Sequence, residues 1–180
     1  ILERINGSGE INEEQIIILL NSRGLEFERV CEFANKLRKK VSGEEVTYAV
    51  NRNINYTNVC YFRCGFCAFS KGKMSENLRG KPYNLELDEI VSRTREAWDR
   101  GASEVCLQGG IHPSYTGETY LQICKAIHEA VPRIHIHAFS PLEVSQGAST
   151  LGLSVPEFLE KLRDSGLGTL PGTAAEVLDD

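Results

Sequence analysis

The 180-residue sequence has no apolar stretch near the roughly 20 residues needed to span a bilayer; its longest aliphatic run is Ile16 to Leu20. Nothing at its start has the charged, then apolar, form of a secretory signal. Both absences predict a cytoplasmic protein with no membrane partner. A cationic excess is lacking as well: 20 Lys and Arg stand against 25 Asp and Glu, a net charge of -5. That sign is wrong for gripping nucleic-acid phosphates, so no nucleic-acid partner is expected. Low-complexity segments and short repeats are also missing. What is present, 41% hydrophobic and 25% charged residues, is ordinary globular composition and excludes a disordered tail, a collagen-like chain and a coiled coil. At about 150 residues per domain, the length suits one domain, or one domain and a piece of the next. The sequence opens at Ile1 rather than Met and stops at Asp180, just past a segment resembling a helix start, so a fragment is expected.

Two regions are expected, a helical segment over 1–44 and an α/β region over 45–180. Asn12 followed by Glu13, Glu14 and Gln15 has the form of a capping box, and Gly24 is a plausible stop. Val30, Phe33, Ala34, Leu37 and Val41 then recur at helical spacing, with Lys36, Arg38, Lys39 and Lys40 crowding the end where the helix dipole favours cations. From Val46 the period changes. Val46, Tyr48 and Val50 alternate as in a strand, and Ile54 to Val59 is a second extended stretch. Beyond it, strand and helix alternate. A helical stripe from Leu87 to Trp98 closes at Gly101, a strand runs from Glu104 to Gln108, and a helix carrying Leu121, Cys124, Ile127 and Val131 ends at Pro132. Ile134 to Ala138 is the next strand, a Ser154/Glu157 capping box opens a helix to about Gly166, and Thr169 and Leu170 begin a last strand. Strands joined by single helices make a parallel sheet, because the crossover is right-handed. Ligands of such folds gather at the carboxyl ends of the strands. Cysteines, Gly109 with Gly110, Phe139 to Glu143, and Pro171 to Glu176 all fall there.

Six cysteines without a secretory signal point to reduced thiols, and clustered ones to metal. Cys60, Cys64 and Cys67 are spaced C-x3-C-x2-C on a loop leaving a strand. Three soft thiolates can hold three irons of a 4Fe-4S cluster and leave the fourth iron open to bind a substrate. The alternatives are zinc and structural thiols, but structural zinc wants four closed ligands and no second C-x-x-C pair exists. Cys31, Cys106 and Cys124 sit in apolar patterns and are expected in the core. Gly109 and Gly110 after Gln108 make either a tight turn or a place where a ligand approaches the backbone.

At its cysteine loop the chain resembles the radical S-adenosylmethionine superfamily, whose signature is C-x3-C-x-aromatic-C. The resemblance implies the N-terminal half of a TIM-like (β/α) barrel, a 4Fe-4S cluster on Cys60, Cys64 and Cys67, and S-adenosyl-L-methionine chelated by the open iron. It implies that Phe66 lies against the adenine, and that Gln108, Gly109 and Gly110 meet the methionyl amino group. The cofactor then yields a 5'-deoxyadenosyl radical that takes hydrogen from a substrate. Glu176 could hydrogen-bond its ribose or amine, or be an ordinary first-turn acid.

Longer strings narrow the resemblance. NRNINYTNVCYFRCGFCAFSKGK (51–73), QGGIHP (108–113), HIHAFSPLE (135–143) and LPGTAAEVLDD (170–180) are similar to the tyrosine-dependent subunit of FO synthase. The radical enzymes of the futalosine route to menaquinone share parts of these strings, but Ala68, Phe69, Ser70, Lys71 and Gly72 favour the FO synthase type. That resemblance implies cleavage of L-tyrosine and transfer of its 4-hydroxybenzyl unit to 5-amino-6-(D-ribitylamino)uracil. A ring-closing partner subunit or fused domain and an electron donor are implied too. His135 and His137 share one face of a strand. On the barrel lumen they could bind tyrosine or the uracil; on the helix side they are core histidines. His112 could bind substrate or fix its turn, and Ser140 and Glu143, beyond a strand end, are further substrate candidates. Tyr56, Tyr61 and Phe62 are expected to pack rather than relay electrons. Readings from other classes are an iron–sulfur electron carrier or sensor, which would not cleave S-adenosylmethionine, and a zinc-binding interaction module. With about four strands, the piece alone is expected to be inactive, since a full barrel takes roughly 250 residues.

Overall fold

The computed structural model describes residues 1–7, 9–62, 67, 69–70 and 81–172. Cys64, Phe66 and Glu176, with Ala68, Lys71 and Gly72, lie outside the described residues. The chain divides into two units, Ile1–Tyr48 and Ala49–Asp180.

The first unit is helical: α1 (Leu2–Asn6), α2 (Glu13–Leu20) and α3 (Leu25–Ser42). The Asn12 capping box forms in full, with Gln15 N–H donating to Asn12 Oδ1 at 3.0 Å and Asn12 N–H to Gln15 Oε1 at 3.1 Å. Gly24 is not the stop of α2, which ends at Asn21. With φ at +56° it is instead the N-cap of α3, a backbone that glycine tolerates at little steric cost. The alternation at Val46 and Tyr48 makes no strand. Both side chains are nearly 90% exposed, and residues 44–50 bond into no ladder.

The second unit alternates β1 (Asn51–Asn55), α4 (Leu87–Asp99), β2 (Glu104–Gln108), α5 (Gly117–Ala130), β3 (His135–Ala138), α6 (Pro141–Leu151) and α7 (Val155–Asp164). The strands pair in parallel in the order β1-β2-β3, with Asn53 opposite Cys106 and Cys106 opposite His137. Sequential order with a helix at each crossover is the arrangement of a barrel wall rather than of a doubly wound sheet, whose order reverses. Thr169 adds a parallel bridge to His137, and the Ala138 N–H donates to the Thr169 carbonyl at 2.9 Å, where the last strand was expected.

Alternation along each strand separates the two faces. Ile54, Val105, Leu107, Ile136 and Ala138 are buried in one core with Ile90 and Ala97 of α4 and Tyr120, Ile123, Cys124 and Ile127 of α5. The opposite face carries Asn51, Asn53 and Asn55, then Glu104, Cys106 and Gln108, then His135 and His137. This is the lumen side, so the two histidines are not core residues under the helices. Of the three cysteines expected in the core, only Cys124 is buried, and burial pushes its thiol pKa up to about 12. Cys31 is exposed, and Cys106 is half-buried because its place in β2 turns it to the lumen.

β3 and the last bridge are connected by two helices, not the one expected. The missed helix, α6, begins at a Ser140 capping box with Pro141 in its first turn and ends at Gly152 in the left-handed conformation. Gly147, near its middle, lets α6 approach its neighbours: a Cβ there would lie 2.7 Å from the Phe158 ring of α7 and 3.0 Å from the Tyr120 ring of α5. Both rings are fully buried and cannot withdraw. Gly147→Ala should therefore cost about 1–3 kcal/mol by overpacking. A urea midpoint equal to that of the unsubstituted protein would show that the helices can separate freely.

Candidate functional site

The site forms where the carboxyl ends of β1, β2 and β3 meet. Beyond β1 the chain is pinned from two sides. The Thr57 hydroxyl donates to the Tyr83 carbonyl at 2.8 Å, Tyr83 N–H donates to Asn58 Oδ1 at 2.8 Å, and Asn58 Nδ2 donates to the Lys81 carbonyl at 3.2 Å. The segment that carries all three cysteines thus leaves and returns at one place. Its first ligand candidate rests on the turn after β2: Gly110 N–H donates to the Thr57 carbonyl at 2.9 Å, and Tyr61 N–H donates to the Ile111 carbonyl at 3.1 Å. A Cβ at Gly110 would sit 2.7 Å from the carbonyl carbon of Val59, closer still to its oxygen, and 2.8 Å from Cβ of Cys60. At Gly109 it would run into the Tyr56 ring. The glycine pair is therefore a steric requirement of this packing and more than a tight turn.

Glu143 locks the same corner from beneath. Its side chain is 1% exposed and belongs to α6. Oε1 accepts from the Tyr56 hydroxyl and from Gly109 N–H (3.1 Å); Oε2 accepts from Ser140 N–H (2.7 Å) and the Ser140 hydroxyl (2.6 Å). One carboxylate thereby ties together the ends of all three strands. Burial raises its pKa, with the four donors pulling the other way, and burial with the adjoining Glu143 raises that of Tyr56. Expected from the sequence to bind substrate, Glu143 and Ser140 instead spend these atoms on one another and on the corner. The signal was present: Ser140, Pro141 and Glu143 repeat the Ser-x-x-Glu cap recognised at Ser154 and Glu157.

Aromatic rings fill the space below. Tyr56 stacks on Tyr115 with centroids 6.1 Å apart and meets Phe139 edge-on; Tyr120 meets Phe139 at 4.9 Å. Phe139 has φ of +68°, strained for a bulky residue, and is held there by burial as the chain turns from β3 into α6. The buried Tyr120 hydroxyl has no hydrogen-bond partner among the described residues. Burial first, then Glu143, Tyr115, Tyr61 and Cys60, raise its pKa. His112 leans on Tyr115, with Nδ1 3.2 Å from Ser114 N–H and 2.8 Å from its hydroxyl, the geometry of a residue that fixes its turn.

On the lumen face the Thr169 hydroxyl lies between the two histidines, 2.8 Å from His135 Nε2 and 2.6 Å from His137 Nδ1. Glu104 stands 4.0 Å from His135 Nε2. Gln108 is half-buried at the top of this face, beside Gly109.

The residues present suit an iron–sulfur cluster with a chelating cofactor. Cys60 and Cys67 are free thiols, and Cys60 is seated on the Gly110 cradle. The carbonyl oxygens of Gly109 and Gly110 accept no hydrogen bond from any described residue.

Comparison with known proteins gives the family. The chain is 45% identical over 171 residues to FO synthase of Streptomyces coelicolor, covering 95% of the chain and 19% of that protein. It is also 45% identical over 174 residues to the 5-amino-6-(D-ribitylamino)uracil–L-tyrosine 4-hydroxyphenyl transferase of Methanocaldococcus jannaschii, covering 95% of the chain and 47% of that protein. The chain thus spans less than half the length of these relatives. Two solved structures share the fold: methylornithine synthase, at 19% identity and a TM-score of 0.67 over 94% of this chain and 45% of that one, and the FeFe-hydrogenase maturase HydG from Carboxydothermus hydrogenoformans, at 20% identity and 0.66 over 94% and 36%. Residues 54–179, from Ile54 of β1 past the last bridge, match the radical SAM superfamily, whose members use a 4Fe-4S cluster and S-adenosylmethionine, and the chain belongs to that superfamily.

Proposed function

We propose that the whole protein is a radical transferase that cleaves L-tyrosine and joins its 4-hydroxybenzyl unit to 5-amino-6-(D-ribitylamino)uracil. The observation that carries this reading is the 45% identity, over 95% of the chain, to the transferase named for that pair of substrates. Cys60, Cys64 and Cys67 would hold the cluster, and Phe66 would meet the adenine. Gln108 and the backbone of Gly109 and Gly110 would receive the methionyl amino group, and Glu176 would take the ribose or amine. Bound there, the cluster and S-adenosylmethionine supply a carbon radical able to take hydrogen from tyrosine. The protein's own part is to fix the corner and exclude water from the reaction. The turn at His112 closes one side of the pocket, and His135 and His137 face the substrates from the lumen. An electron donor and a ring-closing radical enzyme complete the route, in the cytoplasm; no described helix is long and apolar enough to cross a membrane.

The test is anaerobic incubation of the whole protein with S-adenosylmethionine, dithionite, tyrosine and the diaminouracil, followed by mass spectrometry. The expected product is the 4-hydroxybenzyl adduct together with 5'-deoxyadenosine. Product from a futalosine nucleoside instead would move the protein to the menaquinone route, and a cluster without S-adenosylmethionine cleavage would make it an electron carrier. Iron counted after single alanine replacements should vanish for Cys60, Cys64 or Cys67 and persist for Cys31, Cys106 or Cys124. Cluster loss in Cys106→Ala with retention in Cys64→Ala would refute the ligand set.

A further inference from the structure

Barrel interiors are ordinarily filled by layers of branched aliphatic side chains. The lumen face of this sheet has none. Every lumen-facing position of β1 is asparagine, those of β3 are histidine, and β2 contributes Glu104, Cys106 and Gln108. Polar groups of this kind cannot close into a dry core unless something satisfies them. The amides of Asn51, Asn53 and Asn55 make no hydrogen bond to any described residue. The histidines, by contrast, are held in orientation by the shared Thr169 hydroxyl. The register sets Asn53, Cys106 and His137 side by side, so these groups form a continuous stripe rather than scattered polar positions.

The chemistry of the stripe distinguishes the two substrates of the proposed reaction, on which this step rests. Tyrosine carries an ammonium, a carboxylate and an apolar ring. It needs a cation for its carboxylate and an apolar slot for the ring. No Lys or Arg faces the lumen from the three strands, since Arg52 points to the helix side and pairs with Glu96 at 2.5 Å. The diaminouracil is uncharged: a urea-like ring edge that both donates and accepts, and a chain of hydroxyls. Amide and imidazole groups match that pattern, each offering donor and acceptor. Length agrees too. Asn51 to Asn55 is four residue steps, about 13 Å at roughly 3.3 Å per residue, comparable to an extended ribityl chain with its ring.

We infer that the asparagine–histidine stripe on the lumen face of β1 and β3 is the binding site of the ribityl-diaminouracil, and that tyrosine binds elsewhere in the cavity. Asn53 and His137 sit at the middle of the stripe, and the side chain of neither is hydrogen-bonded to the glycine corner or to a described residue of the cysteine loop. The test uses the whole protein, reconstituted with its cluster, and the variants Asn53→Ala and His137→Asn. Anaerobic calorimetry without reductant should show the Kd for 5-amino-6-(D-ribitylamino)uracil raised about tenfold in each, the loss of one net hydrogen bond. Under turnover, the KM for the diaminouracil should rise by a similar factor, while that for tyrosine stays within about twofold. Iron content and the urea midpoint should be unchanged, which a merely misfolded variant would not deliver. A rise in the tyrosine KM, alone or equal to the other, or no change in either, overturns the assignment. An unsubstituted protein that makes no adduct from these two substrates removes the reaction itself, and the assignment with it.

Discussion

Gly110→Ala should abolish reductive cleavage of S-adenosylmethionine nearly as fully as loss of a cluster cysteine, although all three thiols remain. The new methyl group would meet main chain on the far side of the turn: the Val59 carbonyl carbon at 2.7 Å and Cβ of Cys60 at 2.8 Å. Ordinary contact begins near 3.4 Å, so the start of the cysteine loop must retreat by most of an ångström. It is not free to do so, because Asn58 and Thr57 are bonded to the returning segment at Lys81 and Tyr83. The Gly110–Thr57 and Tyr61–Ile111 bonds that hold the loop on the turn are then lost. Misplacing a reacting group by about 1 Å costs on the order of a hundredfold, and here the cluster ligand and the backbone expected to hold the methionyl amino group are displaced together. Stability should suffer less, by about 1–3 kcal/mol, since the clash lies at the rim of the core. The measurement is 5'-deoxyadenosine formation per iron beside a urea midpoint. Unimpaired cleavage in Gly110→Ala would mean that the loop does not rest on this turn.

How far this corner could be anticipated depends on the range of the interactions involved. The C-x3-C-x2-C spacing is local chemistry and legible in a line of sequence. So are the strand Glu104–Gln108 and the caps at Asn12 and Ser154, where periodicity and capping act within a few residues. The alternation at Val46 and Tyr48 satisfies the same rule and fails, because a strand needs a neighbour to bond and these residues have none among the described residues. Helix α6 hides for the opposite reason. Gly147, Ser145, Ser149 and Thr150 are poor helix formers, and the helix is held by its cap and by packing that the missing Gly147 side chain permits. Which way Cys106, His135 and His137 face is settled only by the core on the other side of the sheet, as a lone strand does not show its facing. The Tyr56–Glu143 bond joins residues 87 positions apart and has no local signature beyond the Ser140 cap.

That bond sets the second large effect. Glu143→Leu should destabilise the protein by about 3–5 kcal/mol, the cost of removing one member of a buried polar cluster. The Tyr56 hydroxyl would be left buried, and Gly109 N–H and Ser140 N–H part-buried, without their acceptor, and each unsatisfied buried group costs about 1–3 kcal/mol. Glu143→Gln keeps the size and one carbonyl, enough for Tyr56 and Gly109, but turns an NH2 group toward the Ser140 N–H. It should cost only about 1–2 kcal/mol. The pair also separates charge from shape. Burial holds the Glu143 pKa above its ordinary 4.5, so the folded protein keeps this proton to a higher pH than the unfolded chain does. Below the unfolded pKa that difference contributes its full stability; as pH rises through the folded pKa the buried group must ionise and the contribution is lost. Glutamine does not titrate. The advantage of the unsubstituted protein over Glu143→Gln, read as a difference in urea midpoint, should therefore be greatest near pH 4 and shrink toward neutrality. A difference that grows with pH would mean that the four donors outweigh burial and that the carboxylate, not the acid, is the form the corner was built around.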